Sequence, residues 1–359
     1  MRNLVTIRKI NEIKPIENAD RLELALIDGW QTVVQKGEFK PNDLCVYFEI
    51  DSFIPMAGPD LYGHGASERF KFLENKAIKY DGILGTRIRT MKLRGTLSQG
   101  LAMPFYYDIF PEFKGLPEKS FEDGTADFAS MLGVIKWEPY ISPQLGGQVA
   151  TSFPYQIHKT DQERLQNIFY VVKSRDPNEI YEVTEKIDGS SGTIYFNNEV
   201  FGVCSRNWEL YNTENNSFWK VARKYKLEEK LKILGRNIAI QGELCGPGVQ
   251  MNKLHLSEID LYVFDIWNID TQSYLSGSDR NDMCEYLDLI QVPVLEWRPF
   301  NFGDIDEAME YAEGSSRFSS MTGDATKWYM REGLVWKSIW DPNFSFKIIN
   351  NEYLLKHGE

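Results

Sequence analysis

Apolar and polar positions alternate with a period of two through much of the first hundred residues. Trp30-Gln31-Thr32-Val33-Val34 and Leu44-Cys45-Val46-Tyr47-Phe48-Glu49-Ile50 are rich in β-branched and aromatic residues, and Lys40-Pro41-Asn42-Asp43 between them is turn chemistry. Short strands at regular spacing predict a small barrel of OB-like type over residues 1–104. The pattern then breaks. Pro104, Pro111, Pro117, Pro139 and Pro143, the pair Gly146-Gly147 and six acids between Asp108 and Asp127 predict a linker over 105–150 with one short helix. Residues 151–359 mix both periods. Thr160-Asp161-Gln162-Glu163 reads as a capping box opening a short helix that carries Arg164, Gln166 and Asn167. Gly192–Phe196 and Glu199–Ser205 alternate around Asn197-Asn198 as a hairpin, and Ile238–Leu244 and Leu261–Trp267 read as buried strands. Ser278–Ile290 and Asp304–Ala312 have helical periodicity, the second with a capping box in Asp304 and Glu307. The expected fold class is α+β: a barrel, a linker, then a domain of sheets with flanking helices.

Composition narrows the function. Of 359 residues 42% are apolar, enough for two packed cores. The net charge of −12 argues against coating nucleic acid through bulk charge, though not against a local basic groove. The N-terminal stretch Met1-Arg2-Asn3-Leu4-Val5-Thr6-Ile7-Arg8 has charges where a secretory signal needs an apolar run, and no apolar stretch approaches 18 residues. A soluble, intracellular, monomeric protein without membrane contact is expected. Cys45, Cys204, Cys245 and Cys284 are too far apart for a CxxC motif and are expected to be buried thiols. The four histidines, His64, His158, His255 and His357, show no metal-ligand spacing. No glycine-rich phosphate loop precedes the Lys-Ser and Lys-Thr pairs at Lys119, Lys159, Lys173 and Lys337. A nucleoside triphosphate, if used, is bound in some other way.

The chemistry concentrates around Glu185-Lys186-Ile187-Asp188-Gly189-Ser190, between two predicted strands. A lysine at a strand end followed by an acid and a glycine bend suits nucleophilic work, with Gly189 allowing close backbone approach to a ligand. Ser205-Arg206-Asn207 closes the following hairpin. Gln241-Gly242-Glu243-Leu244 places a carboxylate at the end of an apolar strand, and Val263-Phe264-Asp265-Ile266 an aromatic within another. Glu332-Gly333-Leu334-Val335 and Ser345-Phe346-Lys347 add a second carboxylate and a second lysine. Taken singly, Phe264 would be core and Glu332 a solvated strand end. Three carboxylates (Asp188, Glu243, Glu332), two lysines and an arginine in one order do not describe a plain core.

These segments resemble the covalent nucleotidyltransferase superfamily of DNA ligases, RNA ligases and mRNA capping enzymes. Within it the chain is most similar to the ATP-dependent RNA ligases of the Naegleria and Deinococcus type. The likeness extends through Ala19-Asp20-Arg21-Leu22-Glu23, Tyr47-Phe48-Glu49-Ile50-Asp51-Ser52, Arg94-Gly95-Thr96-Leu97-Ser98-Gln99-Gly100 and Lys136-Trp137-Glu138-Pro139. The resemblance implies a nucleotidyltransferase domain at 151–359 and ATP as cosubstrate, carried as covalent AMP on Lys186. It implies catalytic roles for Lys186, Asp188, Glu243, Glu332 and Lys347, and nucleotide contacts from Gly189, Arg206, Phe264, Val335, Lys347 and Arg164. Asp188, Glu243 and Glu332 would hold Mg²⁺ or Mn²⁺. A cation beside Lys186, either Lys347 or the metal, is expected to lower its pKa. Ser345 stands where many members have a lysine. Only 12 residues follow Lys347, so a C-terminal barrel of the DNA ligase or capping-enzyme kind is not expected.

The substrate expected is RNA, as a nicked duplex or paired ends. Between Gly82 and Tyr107 there is no acid, whereas Arg87, Arg89, Lys92 and Arg94 are present. On a strand, Arg87 and Arg89 would share one face, as would Lys92 and Arg94, giving a phosphate-tracking surface for RNA. Two alternatives remain at this level: a DNA ligase or capping-type enzyme, and an RNA-binding protein whose second half has lost catalysis.

Overall fold

The computed structural model describes residues 3–56, 69–117, 121, 126–138, 145–318 and 329–358, and is α+β as expected. Pro139, Pro143, Lys119 and His64 lie outside these residues. In the first half β1 (Val5–Lys9) pairs antiparallel with β5 (Leu44–Phe48), which pairs in turn with β11 (Leu101–Pro104). A meander follows β1: β2 (Glu12–Pro15), β3 (Leu22–Ile27) and β4 (Trp30–Gln35). A third sheet orders β12 (Ile135–Lys136), β6 (Ser52–Pro55), β8 (Ile83–Arg87) and β7 (Ile78–Tyr80), and β9 (Met91–Leu93) pairs with β10 (Thr96–Ser98). Two-residue turns close the β3–β4, β7–β8 and β9–β10 hairpins. Asp28-Gly29, Asp81-Gly82 and Arg94-Gly95 all have positive φ, the twist that such turns require. In β4, Trp30, Thr32 and Val34 are buried in alternation, as the sequence pattern predicts.

The expected linker is not a linker over most of its length. Phe110 and Phe113 are fully buried, and Phe128, Leu132 and Val134 pack with Val5, Val46 and Phe48 in the barrel's core. The prolines and acids of this stretch punctuate an irregular chain whose phenylalanines stack on one another, among them Phe113 on Phe128. Each fully buried Phe contributes roughly 1.5–3 kcal/mol, enough to fix a segment without regular structure.

The second half contains two sheets. The larger orders β13 (Val149–Ser152), β18 (Trp208–Leu210), β17 (Val200–Ser205), β16 (Ser190–Asn197), β19 (Ile238–Cys245), β20 (Asp260–Asn268) and β21 (Ser273–Tyr274), with β22 (Ile290–Gln291) alongside β20. The smaller orders β14 (Glu163–Arg164), β25 (Ser345–Ile349), β24 (Gly333–Ser338), β15 (Ile180–Lys186) and β23 (Val294–Pro299). Helices α2 (Ser217–Lys224), α3 (Leu227–Leu234) and α4 (Gly277–Leu287) pack on the larger sheet, and α1 (Leu165–Ser174) and α5 (Ile305–Tyr311) on the smaller. A last helix, α6 (Asn351–His357), follows β25.

Two local expectations shift. The capping box does not open α1: Arg164 is its N-cap residue, and Glu163-Arg164 runs parallel to Phe346-Lys347 as a strand. Pairing with β25 satisfies a backbone that the box would have turned into helix. The hairpin turn is Asn198-Glu199, both with positive φ, rather than Asn197-Asn198. The box at α5 holds, with Asp304 Oδ1 accepting from the Glu307 amide at 2.9 Å.

Asn167 is among the side chains that join the two halves. Asn167 Oδ1 accepts from Arg8 at 3.1 Å and from Trp30 Nε1 at 3.3 Å, while its Nδ2 donates to Glu49 at 2.9 Å and Glu163 at 2.8 Å. All four cysteines are buried free thiols. Among the described residues no helix is long and apolar enough to cross a membrane.

Candidate active site

The site follows from strand periodicity. In β15, Tyr181 and Val183 enter the core under the helices, whereas Glu182, Thr184 and Lys186 face a cleft. β24 repeats this, with Leu334 and Trp336 in the core and Val335 and Lys337 facing the cleft. In β25, Phe346 and Ile348 are core and Lys347 faces the cleft. Across from them stand Glu243 of β19 and Phe264 and Asp265 of β20. The cleft measures about 450 Å³, within the range that holds a small-molecule ligand.

Register brings the nucleophile candidate to its partner. Lys186 lies opposite Gly333, so Glu332, 146 residues away in sequence, accepts from Lys186 Nζ at 2.7 Å. Gly189 is explained by packing. A Cβ there would come within 2.4 Å of the Leu244 carbonyl oxygen and 2.7 Å of Cys245 Sγ, so only glycine lets the β15–β16 turn lie against β19.

Charge in the site is unbalanced. Burial disfavours the Lys186 ammonium, but Glu332, Glu243 and Asp188 together outweigh burial and hold its pKa above the ordinary lysine value. The expected lowering by Lys347 is thus reversed, because carboxylates rather than cations dominate its surroundings. Glu243 is raised to about 8, by burial first and then by Glu332 and Asp188, against the pull of Lys186 and Arg206. Excess negative charge among hard oxygen donors fits a divalent cation. Among the described residues, however, no three His, Cys, Asp or Glu side chains gather as ligands of one ion. Asp188, expected among them, does not line the cleft: its carboxylate pairs with Lys253 and accepts from Tyr353 Oη at 2.9 Å.

A second centre forms around Asp161. Lys136 lies 3.1 Å away, Arg206 3.4 Å and Lys347 3.9 Å. Burial opposes ionisation, yet Lys347, Arg206 and Lys136 lower its pKa to about 2. Lys136 belongs to β12, so the barrel supplies a cation to the mouth of the cleft. Deeper in, Lys337 pairs with Asp265 and Arg280 with Glu182, all four lining the cleft.

The remaining expected residues divide. Gly189, Arg206, Phe264, Val335 and Lys347 line the cleft with Lys186 and Glu243. Arg164 does not; it is buried with its guanidinium 5.3 Å from the Trp30 ring, because that side of β14 faces the barrel. Arg87 donates to Asp51 at 2.6 Å and stacks 3.7 Å over Trp137. Arg89, Lys92 and Arg94 are exposed, but not as pairs on strand faces: Arg89 lies beyond the end of β8, and Arg94 occupies the β9–β10 turn. Sequence reasoning missed Asp161 as an electrostatic centre, Lys337, Asp265, Lys253 and Tyr353. Lys337 could have been found, since it follows Val335 at strand period. Tyr353 and Lys253 carried no local signal.

Comparison with known proteins bears on this arrangement. An RNA ligase family model matches residues 179–349, and an OB-fold domain model matches residues 4–105. No curated protein matches the chain. Among solved structures, a mutant of Naegleria gruberi RNA ligase with AMP and Mn is 41% identical, with 99% of each chain covered and a TM-score of 0.79. The same identity, coverage and TM-score hold for a mutant of that enzyme with ATP and Mn, and for the enzyme with PPi.

Proposed function

The chain belongs to the RNA ligase family, and from that premise we propose that it is an ATP-dependent enzyme sealing 3′-OH and 5′-phosphate RNA ends. The observation that carries this reading is Lys186 at the end of β15, within a nucleotide-sized cleft whose two sheets bring Phe264, Val335, Arg206 and Lys347 to the same space. In the first step Lys186 Nζ bonds to the α-phosphorus of ATP, and pyrophosphate leaves with the electron pair of the broken P–O bond. The ammonium must first give up a proton, and Glu332 is the acceptor within hydrogen-bond reach. The adenine lies between Phe264 and Val335, while Arg206 and Lys347 meet the phosphates. Glu243 and Glu332 would hold Mg²⁺ or Mn²⁺ here, and such an ion, when bound, would offset phosphate charge and weaken the hold of Lys186 on its proton.

AMP then passes to a 5′-phosphate, forming a pyrophosphate linkage as the P–N bond to Lys186 breaks. A 3′-OH attacks that 5′ phosphorus, loses its proton, and expels AMP. The exposed Arg89, Lys92 and Arg94 track the phosphates of a nicked RNA duplex. An RNA-binding protein with a dead second half is not favoured, because Lys186, Glu243 and Lys347 line one cleft and Glu332 is hydrogen-bonded to Lys186. Purified protein mixed with α-labelled ATP and Mg²⁺ or Mn²⁺ should carry label through denaturing electrophoresis. Lys186→Ala should abolish the adduct and excess unlabelled GTP should not. Absence of an adduct with either metal would refute the reading.

A further inference from the structure

The helical pair on the larger sheet reverses the charge of the chain. From Ser217 to Arg236, across α2 and α3, there are seven basic residues and two acidic ones, in a chain whose net charge is −12. Phe218, Trp219, Val221 and Ala222 of α2 and Leu227 and Leu231 of α3 are buried in the core beneath, so the cations fall on the solvent side of both helices. Three of the seven have partners. Lys224 pairs with Asp260 at 2.7 Å, Lys230 pairs with Asp288 at 2.7 Å, and Arg223 donates to Asn212 at 2.6 Å. The other four, Lys220, Lys226, Lys232 and Arg236, are exposed, and none has an ion pair or side-chain hydrogen bond among the described residues. The two acids, Glu228 and Glu229, stand in the first turn of α3, where the helix dipole favours them.

Lys226 is the least expected of the four. It follows α2 and is the N-cap of α3, with φ of 53° and ψ of 41°, and its side chain caps nothing. Glycine or asparagine adopts this left-handed conformation more readily, and asparagine, serine or aspartate would also supply a cap. The dipoles of α2 and α3 oppose each other at this corner and give a cation no net advantage. A lysine here is locally unfavourable, and what it contributes is a free ammonium. The patch also borders the site: Trp208 and Phe218 line the cleft, and Lys220 lies two residues along α2 from Phe218.

We propose that Lys220, Lys226, Lys232 and Arg236 form a second phosphate-binding surface, which docks the backbone of duplex RNA outside the cleft without reading its sequence. This rests on the RNA-ligase reading above. An acidic chain repels a polyanion, so RNA is held where cations are concentrated and free, and each such contact releases counterions from the phosphates.

The test is the affinity of the full-length protein for an unbroken, fluorescently labelled RNA duplex, measured by anisotropy over a series of KCl concentrations. Lys220→Gln, Lys226→Asn, Lys232→Gln and Arg236→Gln combined should reduce the slope of log affinity against log salt by about 2.8–3.6, while lysyl-AMP formation from ATP stays within about twofold of wild type. Equal neutralisation of the exposed Lys9, Lys36, Lys40 and Lys356 should change the slope by less than about 1, which separates a local contact from net charge. Lys226→Asn alone should reduce the slope by about 0.7–0.9 without lowering the melting temperature. An unchanged slope in the quadruple variant, or an equal change in the control, would overturn the inference. An unchanged slope with loss of binding to phosphatidylserine vesicles would also overturn it, assigning the patch to a membrane surface. A wild-type protein that forms no lysyl-AMP would instead overturn the RNA-ligase reading, leaving the slope to decide the surface.

Discussion

Phe264→Ala probes the nucleotide site with the least ambiguity. Phe264 faces the cleft from the larger sheet, Val335 faces it from the smaller, and no charged group is removed. An aromatic stacked on a base contributes roughly 1–3 kcal/mol, which corresponds to a rise of about 5- to 150-fold in the ATP concentration giving half-maximal lysyl-AMP formation. The packing cost is separate. Phe264 is only partly buried against the cluster of Ile187, Tyr262 and Phe318, so its truncation should cost well under the roughly 3–5 kcal/mol of a fully buried Phe. The variant should therefore remain folded at 25 °C. The assay is the initial rate of adduct formation against ATP concentration, alongside a thermal melt. Phe264→Tyr should restore the wild-type concentration dependence, and Phe264→Leu should not, because leucine supplies apolar area without a π-face. A shift smaller than about threefold, or equal rescue by leucine, would remove the base from this position.

Three further outcomes are expected. Arg89→Ala combined with Arg94→Ala should weaken end joining and spare lysyl-AMP formation, and should reduce the slope of log affinity against log salt for nicked RNA by about 1.4–1.8; an unchanged slope would exclude phosphate contacts. Asn167→Ala removes one hydrogen bond each from Arg8 and Glu49, almost fully buried and still paired with each other at 3.4 Å, and should lower stability by about 1.5–3 kcal/mol in denaturant unfolding; a loss under about 0.5 kcal/mol would show that these bonds contribute little to the junction of the two halves. Asp161, whose pKa falls from its ordinary 3.8 to about 2, stabilises the fold above pH 4 and loses that contribution as pH drops through 2. Its side chain is two-fifths exposed, so solvent screening reduces the contribution to about 1 kcal/mol; Asp161→Asn should be less stable than wild type by that amount at pH 7, with the gap narrowing as pH falls from 4 through 2 in thermal melts.

Much of the second half was legible because a strand repeats every two residues wherever it lies. Once Thr184-Glu185-Lys186 is a strand end, Lys186 shares a face with Glu182 and Thr184, and the same local rule aligns Val335 with Lys337. The apolar runs of β19 and β20 and the Asp304 cap were readable for the same reason: each depends on residues a few positions apart. Where a local signal competed with a distant partner, the partner won. Thr160–Glu163 has the composition of a helix start, yet parallel pairing with β25 draws Glu163 and Arg164 into a strand. The prolines and acids after Pro104 read as a linker, yet five phenylalanines found the barrel's core.

By itself, then, the sequence determined which residues could share a strand face, where hairpins turn, and which side chains have the chemistry to form a lysyl adduct. The tertiary structure alone decided which faces meet. It set Glu332 against Lys186 across 146 residues, gathered Lys136, Arg206 and Lys347 around Asp161, buried Arg164 beneath Trp30 and turned Asp188 toward Tyr353. Periodicity is a property of a few neighbouring residues. Charge balance, pKa and side-chain direction depend on every group within several ångströms, and those groups are brought together only when the two sheets and the barrel pack.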